Sequence, residues 1–223
     1  MFFSRKKAYI LAVILAIGLV FLLTRTQSQS FQSPGPMNTG HETLSCLECH
    51  ESARGTTRQQ LQSQVLKWLS LKEEAVSFGY ETPNSKDCLA CHEKADDKHS
   101  IYRFNEPKFS KVRKAIHPES CLSCHQEHHG LRVTSEATNC KNCHEKLSLK
   151  HDPLDVSHKV LIENKDWESC LACHDFHGSH KWEVPRKKVN MISQQTLKAY
   201  FEGGKDPYGK KKISKARETR YED

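Results

Sequence analysis

The sequence predicts a fold of short α-helices and loops wrapped around five covalently bound cofactors, with one N-terminal transmembrane helix and a basic C-terminal tail. Three observations lead to this prediction. The pattern Cys-x-x-Cys-His occurs five times in 223 residues and uses all ten cysteines. Only 36% of the residues are hydrophobic, and a large share of these lies in one run near the N-terminus, so the remainder is too poor in aliphatic side chains for an ordinary core. The last 41 residues contain neither cysteine nor histidine and are rich in lysine.

The repeated motif is typical of c-type haem attachment. Two thiols at this spacing can form thioether bonds to the two vinyl groups of a porphyrin, and the histidine that follows can bind the iron as its proximal ligand. Zinc-binding or disulfide-forming Cys-x-x-Cys pairs are the alternative, but five is an odd number of such pairs and a histidine follows every one. The sequence therefore predicts five haem c groups, at sites numbered 1 to 5 in chain order. The attachment residues are Cys46, Cys49, Cys88, Cys91, Cys121, Cys124, Cys140, Cys143, Cys170 and Cys173, and the proximal histidines are His50, His92, His125, His144 and His174.

Sites 2 to 5 form an internal duplication. A further histidine follows the proximal one by seven residues at sites 2 and 4, and by three residues at sites 3 and 5. The sequence thus predicts a haem domain over residues 41–182, in which a single-haem unit (41–87) precedes two dihaem repeats (88–130 and 140–178). The equivalent histidines are His99 and His151 after sites 2 and 4, and His128 and His177 after sites 3 and 5.

Nine histidines remain for the sixth ligand position, and five bis-histidine haems need five. The three methionines are too few to replace them. The duplication makes His99, His128, His151 and His177 distal candidates for four haems. The fifth distal ligand stays open between His41, His117 and His158. We expect His129 and His180 to be surface or propionate-binding histidines.

Residues 1–23 are predicted to be a cytoplasmic N-terminus and an uncleaved transmembrane signal anchor. Three basic residues, Arg5 to Lys7, precede sixteen residues without a charged side chain, which would place the rest of the chain outside the cytoplasm. A cleaved signal peptide is the alternative, and the length of the run does not decide between them. The predicted location is therefore the bacterial cytoplasmic (inner) membrane, crossed once, with the haem domain on the periplasmic side. Residues 24–40 are rich in Gln, Ser and Pro and predict a flexible linker.

Two further segments carry predictions of their own. Apolar residues at helical spacing predict an amphipathic helix from about Thr57 to Val76. Residues 183–223 form the basic tail, which from Arg186 onward holds eleven Lys and Arg against five Asp and Glu. This tail is either solvated without a single structure or a strap that docks on a partner protein. The formal charge of +7 does not indicate nucleic acid, since ten haem propionates would offset it.

The array of motifs behind an N-terminal apolar segment resembles membrane-anchored multihaem, here pentahaem, c-type cytochromes. The histidine spacing within Cys88–Gly178 resembles the class III cytochrome c pattern. The layout is similar to NapC/NirT-type quinol dehydrogenases and to the pentahaem subunit of alternative complex III. The NapC/NirT group typically has four haems, and its first-haem ligand motif has no clear counterpart in this chain.

The resemblance implies a non-catalytic electron carrier of a respiratory chain. Electrons would pass along bis-histidine haems between the membrane quinol pool or a membrane dehydrogenase and a periplasmic or membrane-bound redox partner. Direct quinol oxidation at haem 1 is one alternative. A multihaem reductase is a second, which the surplus of histidines disfavours because such enzymes keep a distal position open. No catalytic residue is predicted.

Overall fold

The computed structural model describes residues 5–23, 33–73, 77 and 79–220, and within these ranges the chain consists of short helices joined by loops. The β-structure in the same ranges is limited to two isolated bridges, Ser52–Tyr80 and His180–Lys212. The described α-helices are α1 Arg5–Leu23, α2 Cys46–Cys49, α3 Thr57–Trp68, α4 Ser85–His92, α5 Ser110–Ile116, α6 Lys141–His144, α7 His158–Glu163, α8 Glu168–Cys173 and α9 Gln194–Phe201. The 3-10 helices are Ile101–Asn105, Pro107–Phe109, Cys121–Ser123, Ala137–Cys140 and Lys188–Asn190.

Side-chain caps fix where several of these helices begin. A capping box joins Thr56 and Gln59 at the start of α3, and another joins Asn84 and Asp87 at the start of α4. Such a box satisfies two backbone N–H groups that the first helical turn leaves unpaired. The second box is placed one turn before the Cys88 motif, so it also fixes where the helix of site 2 starts.

The helix predicted from Thr57 to Val76 is shorter than expected. It ends at Trp68, and Ser70 then adopts a left-handed backbone conformation with φ of 57°. A non-glycine residue in that region breaks the helical path. Residues 74–76 lie outside the described residues.

The predicted transmembrane anchor is wrong for the residues that the structure describes, because no helix among them is long and apolar enough to cross a membrane. Helix α1 begins with three basic residues, and its remaining sixteen extend about 24 Å at 1.5 Å per residue, less than the ~30 Å hydrocarbon core. The predicted location in the bacterial cytoplasmic membrane, with a single pass and a periplasmic haem domain, is corrected on the same finding.

The predicted fold class is therefore wrong as stated. In the described ranges the protein is helical without a membrane-spanning helix, and no group of three or more His, Cys, Asp or Glu side chains there could hold a metal ion. The absence of such a group concerns only a metal ion whose ligands are all protein side chains. A haem iron takes four ligands from its porphyrin and needs only two from the protein.

The C-terminal tail packs on its own chain. The apolar cluster of Ala172, Leu197 and Tyr208 joins it to α8, the helix of site 5. The Tyr208 hydroxyl donates a hydrogen bond to the Leu171 carbonyl over 2.7 Å, and the Trp182 indole donates one to the Cys173 carbonyl over 2.8 Å. Around this cluster lie the partly buried side chains of Leu171, Trp182, Met191, Ile192, Tyr200 and Phe201.

The tail then runs back towards the beginning of the chain. The Arg132 guanidinium stacks on the Tyr200 ring at 4.2 Å and donates to the Tyr200 and Gly204 carbonyls. Further on, the Arg217 backbone N–H donates to the Cys91 carbonyl, and the Arg220 guanidinium lies 2.7 Å from Asp87. The tail thus contacts sites 5, 3 and 2 in turn.

Part of the predicted linker is also packed. The Asn38 side chain donates to the Gln126 carbonyl and accepts from the His129 backbone N–H, which attaches residues 33–40 to the loop after site 3. Residues 24–32 of the linker lie outside the described residues.

Truncating Leu197 to alanine should destabilise the protein by about 3 kcal/mol, since the side chain is 2% exposed and its loss leaves a cavity beside α8. Urea unfolding followed by far-UV circular dichroism measures the change. Gln195→Ala, at an exposed position of the same helix, is the control and should shift the free energy of unfolding by less than about 0.5 kcal/mol. Equal midpoints for the two variants would contradict a stabilising role of the tail.

Candidate haem-iron ligand sites

Five pairs of histidine rings face each other among the described residues. Every pair contains the histidine of one Cys-x-x-Cys-His motif and one histidine from outside the motifs. The ring centres are 6.2 Å apart in His50–His128 (site 1), 5.8 Å in His92–His41 (site 2), 6.2 Å in His125–His177 (site 3), 6.4 Å in His144–His99 (site 4) and 6.3 Å in His174–His158 (site 5).

These distances match two imidazoles on opposite sides of one metal. An imidazole nitrogen binds a transition metal at about 2 Å and lies roughly 1 Å from its ring centre, so two axial rings are about 6 Å apart. All five pairs fall between 5.8 and 6.4 Å. The residues present therefore fit an iron held by two histidines at each site.

The motifs adopt a turn that presents their ligands together. At sites 1, 3 and 5 the backbone N–H of the histidine donates to the carbonyl of the first cysteine, over 2.8 to 2.9 Å. The motifs of sites 2 and 4 end in α4 and α6. Residues i, i+3 and i+4 of a helical turn share one face, which brings both thiols and the imidazole to the same side.

Hydrogen bonds at Nδ1 orient many of the paired rings. The Nδ1 atoms of His50, His125 and His99 lie 2.7 to 2.8 Å from the backbone carbonyls of Glu81, Arg132 and Phe176. A ring that donates its Nδ1–H to a carbonyl keeps the Nε2 lone pair for a metal. The interaction thus selects the tautomer that iron ligation needs.

Four distal rings have side-chain partners instead. His128 Nδ1 lies 2.8 Å from the Ser33 hydroxyl, and His41 Nδ1 lies 2.9 Å from Glu127. His177 and His158 contact the carboxylates of Asp97 and Asp152 at 3.1 and 2.9 Å. Every distal ring, counting His99, is therefore held at Nδ1.

Burial keeps several of these imidazoles neutral. It lowers the pKa of His92, His99, His125 and His174 below the ordinary value, because a charged ring loses hydration inside the protein. Neutral imidazole is the form that binds a metal. His41 differs, since the hydrogen bond to Glu127 raises its pKa.

The distal candidates from the sequence divide into two groups. His99, His128, His177, His158 and His41 lie in the five pairs. His151 is exposed and is in none of these pairs. His117 is also outside them, and its Nδ1 lies 3.3 Å from its neighbour Glu119. His41 and His158, which lie upstream of sites 1 and 5, thus complete the five pairs.

The duplication fails at His151 for a structural reason. Its counterpart His99 reaches site 4 and donates to the Phe176 carbonyl, and both lie in the following repeat. Residues 179–223 contain no further Cys-x-x-Cys-His motif that His151 could reach in the same way.

His180 differs from the expected surface histidine. It is 8% exposed and lies between two carboxylates, with Nδ1 2.8 Å from Asp175 and Nε2 2.7 Å from Asp206. Because Asp206 belongs to the tail, this histidine joins the tail to the loop after site 5. The sequence gives no signal for the role beyond a histidine near two acidic residues.

Contacts between motif helices show which sites are neighbours. The Cys121 backbone N–H donates to the Ser85 hydroxyl of α4 over 3.1 Å, which joins sites 2 and 3, and α8 packs on the 3-10 helix Ala137–Cys140, which joins sites 4 and 5. Hydrogen bonding to Cys121 accordingly raises the pKa of Cys88, and hydrogen bonding to Cys170 raises the pKa of Cys140. The same arrangement occurs in both dihaem repeats, and all ten cysteines are free.

The other two junctions are made by side chains next to the motifs. Between sites 1 and 2, the Arg220 guanidinium contacts the carboxylates of Glu51 and Asp87 at 3.2 and 2.7 Å. Between sites 3 and 4, Asp97 accepts hydrogen bonds from His177 Nδ1 and from the His99 backbone N–H. Phe176 stacks on the His99 ring at 4.1 Å and contacts His177 edge-on. The five sites thus form a continuous row in chain order.

Comparison with known proteins adds nothing to this geometry. The chain matches no protein-family model, no characterised protein and no solved structure. The chemistry of the sites follows from the residues and distances given above.

Proposed function

We propose that the protein is a pentahaem c-type cytochrome that transfers electrons along five bis-histidine haems. The observation that carries the proposal is the pairing of every motif histidine with a second histidine at 5.8 to 6.4 Å. Five independent pairs at one metal-bridging distance are difficult to explain by packing alone. The two cysteines beside each pair supply the covalent attachment that the motif predicts.

At each site the chain would supply two histidines as iron ligands and two cysteines for thioether bonds. When bound, haem supplies a one-electron couple between ferric and ferrous iron. The protein fixes the distal imidazole of each site through its ring Nδ1, as at His99 and His177, and two histidines would leave no ligand position for a substrate. Axial ligation by two histidines without methionine favours a low redox potential. These properties suit electron transfer without bond-making chemistry.

The row of neighbouring sites supports electron passage along the molecule. Contacts of the motif helices join sites 2 and 3 and sites 4 and 5, while Asp97 and Phe176 join sites 3 and 4. Electrons would enter at one end of the row and leave at the other. We propose other redox proteins as donor and acceptor.

A reductase is the less favoured candidate. It would need an iron with an open distal position, and each of the five pairs occupies that position with histidine. At site 1, His128 faces His50 at 6.2 Å. Quinol oxidation through an open iron at site 1 is disfavoured on the same ground.

Haem content tests the proposal directly. Expressed with a c-type cytochrome maturation system, the chain should carry five haems per polypeptide that resist acid–acetone extraction, because thioether bonds are covalent. Pyridine haemochrome absorbance and intact mass measure the number. Replacing both Cys140 and Cys143 by alanine should leave four covalent haems, whereas Ser123→Ala, inside another motif, should leave five. A chain without covalent haem would refute the proposal.

A further prediction compares two equivalent positions of the duplication. His99→Ala should convert one of five haems from low-spin to high-spin, since it removes a ring that faces His144 at 6.4 Å. His151→Ala should change no haem, because His151 lies outside the pairs. Electron paramagnetic resonance of the oxidised protein distinguishes the two spin states. His99→Met, which keeps a sixth ligand, should retain five low-spin haems and raise the potential of one. High-spin haem in the His151 variant would contradict the pairing.

A further inference from the structure

We propose that three carboxylates divide the five haems into two groups of different redox potential. Glu127, Asp97 and Asp152 lower the reduction potentials of haems 2, 3 and 5, so that haems 1 and 4 are reduced first. The inference rests on the proposed function and assigns a role to three residues outside the ligand set.

The carboxylates contact axial histidines on the side away from the iron. Glu127 Oε1 lies 2.9 Å from His41 Nδ1 at site 2, and Asp97 Oδ2 lies 3.1 Å from His177 Nδ1 at site 3. Asp152 contacts His158 Nδ1 at site 5 with both oxygens, at 2.9 and 3.0 Å. All three carboxylate side chains are between 17% and 25% exposed, so water screens them only partly.

Neutral groups occupy the equivalent position at the other two sites. At site 1, His128 contacts the Ser33 hydroxyl and His50 contacts the Glu81 carbonyl, each at 2.8 Å. At site 4, His99 contacts the Phe176 carbonyl at 2.7 Å. Among the described residues, therefore, an anionic partner of a paired histidine occurs at sites 2, 3 and 5 and not at sites 1 and 4.

An anionic acceptor changes the iron more than a neutral one. It pulls the Nδ1 proton towards itself, which makes the imidazole a stronger electron donor through Nε2. It also places a negative charge near the metal, and both effects favour ferric iron over ferrous. A carbonyl or hydroxyl acceptor fixes the same tautomer without supplying that charge.

Backbone N–H groups hold two of the carboxylates independently of the ring. Asp97 Oδ1 accepts from the His99 backbone N–H at 2.8 Å. Asp152 accepts from the backbone N–H groups of His158 and Leu154, at 2.6 and 3.1 Å. Their positions are thus set by the loops that carry them, and they are available to the histidine without a change in conformation.

The order of the sites gives the division a functional consequence. Haems 1 and 4 have the higher potentials and are reduced first. Haems 2 and 3, which have lower potentials, lie between them in the row. Haem 5 at the end of the row is again of lower potential. An electron that leaves through haem 5 therefore departs from the stronger reductant of its dihaem repeat.

The test is potentiometry of the five-haem holoprotein with Asp152→Asn. Asparagine keeps an oxygen that can accept from the Nδ1–H and removes the charge. The ratio of reduced to oxidised haem 5 at a fixed potential should rise about tenfold, which corresponds to a shift of about 59 mV for a one-electron couple. The reduction potentials of the other four haems should shift by less. Asp155→Asn is the control, since Asp155 lies on the same loop and bonds the backbone N–H groups of Val156 and Lys188. It should leave all five potentials in place.

Glu127→Gln and Asp97→Asn repeat the test at haems 2 and 3, so the result does not depend on one variant folding. Each should raise the potential of a different haem with all five still low-spin. Unchanged potentials in low-spin variants would overturn the tuning role and leave the electron carrier intact. High-spin haem would also overturn it, because the carboxylate would then position its histidine rather than tune it. Wild-type protein without five haems would instead refute the proposed function.

Discussion

Pairing of histidines between distant segments is the interaction on which this structure depends. Four of the five pairs join residues from different units of the chain, and His174–His158 alone is local. The His128 that faces site 1 follows site 3, and the His177 that faces site 3 follows site 5. With iron between the rings, each bond would tie one unit to another. Such links between units would add to the stability that the apolar cluster of Ala172, Leu197 and Tyr208 provides.

The C-terminal tail provides a second connection across the same units. It packs on α8, contacts Arg132 beside site 3, and reaches Cys91 and Asp87 at site 2. Its lysines are mostly exposed, while Leu197 and Tyr208 face inward. A segment that its charge marks as solvated is therefore held by a few apolar side chains and by Arg132. Charge counted along a sequence does not reveal which side chains are spaced to form a buried face.

Histidine serves several purposes in one small protein, and its hydrogen-bond partners separate them. Nδ1 bonded to a carbonyl, as in His125, fixes a tautomer that leaves Nε2 for iron. A carboxylate partner, as at His158, does the same and adds negative charge. His180 lies buried between the carboxylates of Asp175 and Asp206 and joins the tail to the loop after site 5 instead. The partner of the second nitrogen thus distinguishes proposed ligands from a structural histidine.

The sequence by itself determined the features that are local along the chain. A Cys-x-x-Cys-His motif needs only one helical turn to present two thiols and an imidazole, so the proposed attachment and proximal residues follow from the motif alone. Which histidine faces which motif was decided by tertiary structure, because those partners come from other units. His99 and His151 occupy equivalent places in the duplication, yet among the described residues His99 pairs with a motif histidine and His151 does not. The apolar run at the N-terminus suggested a membrane anchor, but length and flanking charge, not hydrophobicity alone, decide whether a helix spans a bilayer.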